Sequence, residues 1–507
     1  MAKILLCSEF SYLKSGYSKY YYELAKGFTE AGHEVVELAA RGDASILDHV
    51  EYAEKSPWKI YLCDPNPSDK HHIELYNKRQ STHNDAIHGA WLYPFVLERE
   101  KPEFIISVRD YWYDSFIMEN NVDANVILSP TVDSFPQKDK WVDYYNRADQ
   151  LVFYNEWSQK WWETQTNRTG VTISPAVDSN FKALNRNKCR RMLGLDPNDK
   201  IAFTLMRNQL RKRIPELFEA IKQTDWKLHC HTFYPDGICW DIPALLLQYD
   251  VAEKVLFSYY CNACKSIDIK HYCGSSTHCK KCGNIITLPL PNRPIDEEAL
   301  NVSYSSADYY IQYATSEGFG IPPIEAGAAG LASTTIFCTG QKGVAGNIDA
   351  KKMEPLGFQR DIFNNCFRAI PDNIQLVKIL QKLDVNYDRN IIREKCLSHY
   401  SWDKTVKKWL QIIDSMPLKK PKNKELRQPI KIEDLHDATN SEFVTLCMKY
   451  VANRPDLVGG FQCLEMLNNL NNTFKNQNKE NVPYNREQAY NEFYALLLEQ
   501  VNDKNQN

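Results

Sequence analysis

The sequence predicts an α/β chain built from two doubly wound, parallel-sheet domains that face each other across a cleft. It also predicts a small cysteine-rich insert and a C-terminal helical extension. Three observations carry this. Short apolar runs alternate with helix-spaced segments, and the alternation starts afresh near residue 181. Two Cys-x2-Cys pairs fall within the 22 positions from Cys261 to Cys282. A run rich in Lys and Pro, beginning at Lys419, precedes a tail with its own helical spacing.

In chain order, residues 2–7 (AKILLC) read as a buried strand. A polar turn runs from Ser8 to Gly16. Tyr20, Leu24, Ala25 and Phe28 then mark one helix face, which Gly32 ends. Residues 33–40 (HEVVELAA) complete a strand–helix–strand unit. Apolar runs at 104–108 (FIISV), 125–130 (NVILSP) and 150–155 (QLVFYN) predict further parallel strands. Residues 171–181 (VTISPAVDSNF) read as a last strand and a turn. The second domain opens with a short helix at 189–195, a strand at 200–206, a helix at 214–223 and a strand at 226–233. The expected divisions are 1–180 for the first domain and 181–417 for the second, with the insert at 258–285 and a closing helix at 400–415. A linker at 418–432 and a helical extension at 433–507 follow. Paired sheets of this kind bind ligands at the carboxyl ends of their strands.

Composition narrows the function. Apolar residues make up 43% and charged residues 25%, as in ordinary soluble globular proteins. The formal net charge of −3 excludes a global basic field for nucleic acid. The first 185 residues are acidic, with 19 Lys and Arg against 27 Asp and Glu, and the rest is basic, with 42 against 37. The opening MAKILLCSEF has too short an apolar run for a secretory core of roughly 7–15 residues. No apolar run reaches the ~18 residues of a membrane span. The expected location is cytoplasmic (a host cytoplasm if the protein is viral), where thiols stay reduced. The fifteen cysteines are then not a disulfide framework.

The most informative stretch is SSADYYIQYATSEGFGIPPIEA, residues 305–326. It reads as a helix end, a strand, a glycine loop with Gly318 and Gly320, and a new helix from about Pro322. Glycine lets backbone approach a ligand closely, proline is tolerated in a first helical turn, and a helix start attracts anions. Glu317 and Glu325 bracket that anion site, where carboxylates can accept hydrogen bonds from sugar or ribose hydroxyls.

The string SEGFGIPPIEA resembles the E-x7-E signature of retaining glycosyltransferases of the GT-B fold, two Rossmann-like domains, in the family 4 grouping. SGYSKYYYELAKGFTEAGHEV is similar to that family's first glycine loop and helix. ISPAVDSNF resembles the start of its second domain, with Ala176 where glycine is usual. RMLGLDPNDKIAFTLMRNQLRKRIPELFEAI resembles its basic segment, with Met206 where glycine is usual, and HYSWDKTVKKWLQII resembles its closing helix. The resemblance covers roughly residues 1–415 outside the cysteine insert.

It implies a nucleotide-sugar donor, with UDP as the expected nucleotide, and transfer to a hydroxyl acceptor with retention of anomeric configuration. Arg207 and Lys212 would neutralise the donor diphosphate, although Arg211 and Arg213 flank Lys212 and leave open which of the three reaches phosphate. Gly16 would approach the phosphate from the first domain. Glu325 would grip the ribose and Glu317 would face the transferred sugar. Backbone groups around Gly318, Phe319, Gly320 and Ile321 would meet sugar or phosphate. The family's usual first-domain histidine is absent. Asp133, in ILSPTVDSFP, is expected as the equivalent polar contact, with an Asx-turn role as its alternative and Asp110 as a competitor. No catalytic metal is expected.

Cys261, Cys264, Cys279 and Cys282 have the spacing of two zinc knuckles separated by 14 residues. Cys273, His271 and His278 are surplus, and Cys273 is a possible substitute ligand. Four thiolates leave zinc no open position, so its role would be structural. The insert either staples a long loop or touches a polymeric acceptor or a nucleic acid, with positive charge from Lys265, Lys270, His271, Lys280 and Lys281. The acceptor stays open among a glycan, a lipid-linked sugar, a protein and a modified DNA base. A phage or viral enzyme acting on hydroxymethylated DNA is one alternative, against which the acidic first domain argues. A non-catalytic sugar-nucleotide or nucleic-acid-binding protein is another, against which the joint presence of Glu317, Glu325, Arg207 and Lys212 argues.

Overall fold

The computed structural model describes residues 1–419 except 14, 120–122, 167, 236, 290–294 and 362–363. The expected extension at 433–507, and the linker beyond residue 419, lie outside the described residues. Met1–Lys419 forms one compact unit holding two α/β halves.

The first half is a seven-stranded parallel sheet. Its strands are β1 (Lys3–Glu9), β2 (Glu34–Asp43), β3 (Lys59–Asp64), β4 (Phe104–Ser107), β5 (Asn125–Leu128), β6 (Gln150–Phe153) and β7 (Val171–Thr172), in the order β3-β2-β1-β4-β5-β6-β7. Ile4, Leu5, Leu6 and Cys7 are fully buried, as a central strand covered on both faces requires. The first helix, Gly16–Glu30, is capped by Ser15, which accepts from the Ser18 N–H. It buries Tyr20, Tyr21, Leu24, Ala25 and Phe28.

The second half is a nine-stranded sheet. Its strands are β8 (Ile201–Leu205), β9 (Lys227–His231), β10 (Val255–Cys261), β11 (Ser266–His271), β12 (Ser276–His278), β13 (Ile285–Thr287), β14 (Tyr309–Gln312), β15 (Ser333–Ile336) and β16 (Lys351–Met353). The order is β12-β13-β10-β9-β8-β14-β15-β16, with β11 also paired to β10. A separate hairpin joins β17 (Gly357–Arg360) to β18 (Phe367–Ile370). The strand order reverses at β1/β4 in the first sheet and at β8/β14 in the second. Loops diverge at such points and leave room for a ligand.

Three features depart from the expectation. The strand β3 was not foreseen, because KIYLCD is short and stops at Pro65. The cysteine-rich segment is more than a loop: β11 runs antiparallel to β10 over six residue pairs, and β13 and β12 extend the sheet edge. The β17–β18 hairpin was also unforeseen, since GFQR and FRAI lack a clear alternation.

The closing helix, Trp402–Ser415, packs back onto the first helix. Trp409 is fully buried there, and its indole N–H donates to the Tyr20 hydroxyl at 2.8 Å. One apolar cluster therefore holds residues of both halves, including Tyr20, Leu24, Ile324 and Trp409.

Candidate active site

The loops after β8 and β14 meet because these two strands are neighbours at the switch point. A short 3-10 turn, Leu210–Lys212, is pinned to the end of β14: the Thr315 N–H and hydroxyl donate to the Arg211 carbonyl at 2.9 and 3.1 Å. This aims two cations at one carboxylate. Lys212 bonds Glu317 Oε1, and Arg211 reaches Oε2 at 3.0 Å. Gln312, at the end of β14, donates to Oε1 at 2.8 Å and is itself held by the Tyr310 hydroxyl at 2.6 Å. Thr339 accepts from the Glu317 N–H at 2.9 Å and fixes the backbone beneath it.

Burial opposes ionisation of Glu317, but the charges of Lys212 and Arg211 outweigh it and hold the carboxyl at about 2. Lys212 is lowered to about 8, by burial first and the adjacent Arg211 second, against the pull of Glu317. The site thus holds a cation pair that a single carboxylate only partly neutralises.

The glycine loop crosses to the other half. A Cβ on Gly318 would lie 2.7 Å from the Thr131 Cγ2 of the first half, so the close approach needs glycine. The Gly318 carbonyl accepts from Asn155 Nδ2 at 2.7 Å. Gly320 caps the next helix, Ile321–Ala328, with φ of 98°, a left-handed conformation that favours glycine. Pro322 and Pro323 carry no N–H, so the donors at this helix start belong to Gly320 and Ile321. Phe319 turns its ring into the core against Tyr400. Gly16, at the start of the first helix, faces Ile321. One turn into the helix, Glu325 accepts from the Tyr304 hydroxyl at 2.9 Å, and burial raises its carboxyl above the usual range.

On the facing loop, after β5, Asp133 accepts from Ser134 Oγ at 2.8 Å and pairs with Arg368 at 3.1 Å. Arg368 belongs to β18 and also bonds Ser316 Oγ, beside Glu317. Burial of Asp133 is outweighed by Arg368 and Arg211, so its carboxyl lies below the usual value. Asp110 follows β4, and burial, then the charge of Asp133, raise it to about 7.

The structure therefore brings Lys212, Glu317, Gly318 and Asp133 into one junction, with Gly16, Phe319, Gly320, Ile321 and Glu325 along the adjoining helix start. Arg207 stands exposed on the same loop as Lys212. Sequence reasoning left Arg211 undecided and missed Gln312, Tyr304, Thr339 and Arg368. The strand periodicity of DYYIQY, which puts Tyr310 and Gln312 on one face, could have shown Gln312. Nothing in FRAI pointed to Arg368.

At the edge of the second sheet, the sulfurs of Cys261, Cys264, Cys279 and Cys282 all lie within 4.8 Å of one another. Cys273 lies outside this group, and its N–H donates to the Tyr259 hydroxyl at 3.1 Å.

No protein-family model and no curated protein sequence matches the chain. Solved structures do. A sucrose-phosphate synthase from Thermosynechococcus elongatus is 14% identical, with a TM-score of 0.60, over 82% of this chain and 98% of that one. Anabaena HepE in complex with UDP-glucose is 10% identical, with a TM-score of 0.53, over 82% and 100%. A glycosyltransferase from Rickettsia africae is 14% identical, with a TM-score of 0.53, over 81% and 97%. The fold is GT-B. At such identities the likeness is one of architecture. Among the described residues, no helix is long and apolar enough to cross a membrane.

Proposed function

We propose that this chain is a glycosyltransferase that moves a sugar from a nucleotide-sugar to a hydroxyl acceptor with retention of anomeric configuration. One observation carries the reading. At the switch point of the second sheet, Lys212 and Arg211 converge on Glu317, beside which Arg368 of β18 binds Asp133 of the opposing loop. The GT-B structures similar to this chain include one holding UDP-glucose.

The departing nucleoside diphosphate gains charge as its bond to the sugar C1 breaks. Lys212 and Arg211 are placed to neutralise that charge, which favours the transition state over the ground state. Arg207, on the same loop, adds a third cation at the mouth. Donors at Gly320 and Ile321, with the helix dipole, hold the phosphates. Glu325, oriented by Tyr304, accepts from the ribose hydroxyls. Glu317 keeps the cations aimed before the donor arrives, and its carboxylate accepts from a hydroxyl of the transferred sugar. Gly16 leaves room for the phosphate from the first half. Asp133 meets the sugar or the acceptor.

In the retaining step the acceptor oxygen bonds C1 on the face the diphosphate leaves, and the acceptor proton passes to the departing phosphate oxygen. No protein base is required.

The test is a panel of nucleotide-sugars, scored by donor hydrolysis and by thermal stabilisation. Glu317→Gln should lower kcat by about 10²- to 10³-fold with the fold intact. Full activity in that variant refutes the site, and silence of the parent protein toward every donor refutes the reaction.

A further inference from the structure

The four-cysteine cluster takes no part in the proposed chemistry, yet it has the dimensions of a metal site. A tetrahedron with Zn–S bonds of about 2.3 Å has S···S edges of about 3.8 Å. Here Cys261 and Cys282 sulfurs are 3.4 Å apart, and Cys264 and Cys279 sulfurs are 3.6 Å apart. The two pairs come from separate turns: Cys261 and Cys264 link β10 to β11, and Cys279 and Cys282 link β12 to β13.

The turns share a backbone solution. The residue after the second cysteine is left-handed in both, Lys265 with φ of 54° and Gly283 with φ of 75°. Donors also point at the sulfurs. Lys281 N–H reaches Cys279 Sγ at 3.4 Å, Asn284 Nδ2 reaches Cys282 Sγ at 3.4 Å, and Ser266 Oγ lies 3.0 Å from Cys264 Sγ. Such donors stabilise thiolates, the form that binds metal.

The clamp is wired to the rest of the fold. Leu256 and Tyr260 of β10, with Ile267 and Ile269 of β11, pack in one apolar cluster with Ala299, Leu300 and Val302. Those last three belong to the helix Glu297–Ser306, which also carries Tyr304. Tyr304 is the donor that orients Glu325.

We infer that Cys261, Cys264, Cys279 and Cys282 bind one zinc ion, which locks the β10–β11 and β12–β13 turns together and so positions the helix that presents Tyr304 to Glu325. All four positions of the tetrahedron are filled by protein, so the ion is a structural clamp without an open coordination site. The metal site stands independently of the proposed reaction. Its link to Tyr304 and Glu325 as a nucleotide pocket rests on that reading.

The full chain, purified without chelator, should contain one zinc per molecule by elemental analysis. Cobalt substitution should give the intense visible bands of tetrahedral thiolate coordination. Cys282→Ser, at an exposed ligand, should lose the metal, whereas Cys273→Ser should keep it. A metal-free parent, stoichiometric iron in place of zinc, or metal retention by Cys282→Ser with loss by Cys273→Ser overturns the site.

The link is tested with UDP as the probe. Chelation should weaken UDP binding about tenfold, and zinc should restore it. In a Tyr304→Phe background, already weakened, chelation should add little, because both changes act through one contact. An equal further loss in that background overturns the positioning role. If the protein holds zinc but binds no nucleotide, the metal site stands and the transferase reading falls.

Discussion

Lys212 is buried beside a like charge, Arg211, as well as beside Glu317, and its ammonium is lowered to about 8. A diphosphate bound at this lysine would favour the charged form and raise that value. Above pH 8 the free protein has therefore lost the proton that the complex keeps, and donor binding must take one up. The dissociation constant for UDP should rise by up to about tenfold per pH unit above pH 8 and stay flat just below it. Titration calorimetry in buffers of different ionisation heat should show the proton uptake directly. Lys212→Met should remove both the slope and most of the affinity. At this scale the sequence was legible where a motif spans consecutive residues: Glu317, Gly318, Gly320 and Glu325 come from one string. It was silent where partners arrive from distant segments. Arg368 lies 235 positions from Asp133, and only the fold joins them.

Elements were legible where apolar runs are long and glycine or proline punctuates them. β1, the first helix and the Ile321–Ala328 helix fall within a few residues of expectation. β3 and the β17–β18 hairpin escaped because edge strands are short and half-exposed, which blurs their alternation. The cysteine knuckles read clearly from spacing, but the backbone of the first one did not. Gly283 meets the left-handed turn with no Cβ penalty and nothing within 4 Å of where a Cβ would sit. Lys265 adopts the equivalent conformation with a side chain, at a cost of roughly 1–2 kcal/mol. Lys265→Gly should accordingly stabilise the zinc-loaded protein by up to about 1 kcal/mol, after the entropy that glycine loses on folding. Gly283→Ala should destabilise it by about 1–2 kcal/mol. Denaturant midpoints at fixed zinc would separate the two, and equal effects from both would contradict the shared turn geometry.

For the molecule as a whole, the two halves are stitched at the same place where the chemistry is proposed. Asn155 reaches the Gly318 carbonyl, Phe135 bridges to Phe367, and Arg368 binds Asp133 of the first half together with Ser316 of the second. Other contacts join the halves away from this junction, among them the Trp409–Tyr20 hydrogen bond of the closing helix and the Lys19–Glu297 ion pair at 2.6 Å. Arg368 therefore ties the Asp133 loop to the segment after β14 by a bridge that draws on the charge of Asp133. The Asp133 carboxyl lies below its ordinary 3.8 because Arg368 and Arg211 outweigh the effect of burial. A depressed carboxyl adds stability that is fully present above the ordinary value and is lost as pH falls through the folded one. Arg368→Ala should cost about 1.5–3 kcal/mol at pH 7, the range for a hydrogen bond to a charged group. The gap between variant and parent should narrow below pH 3.8, where Asp133 takes up its proton and the parent loses its ion pair with Arg368, although Arg368 still meets Ser316 there. A pH-independent energy difference would mean that Arg368 merely packs, and that its pairing with Asp133 contributes nothing measurable.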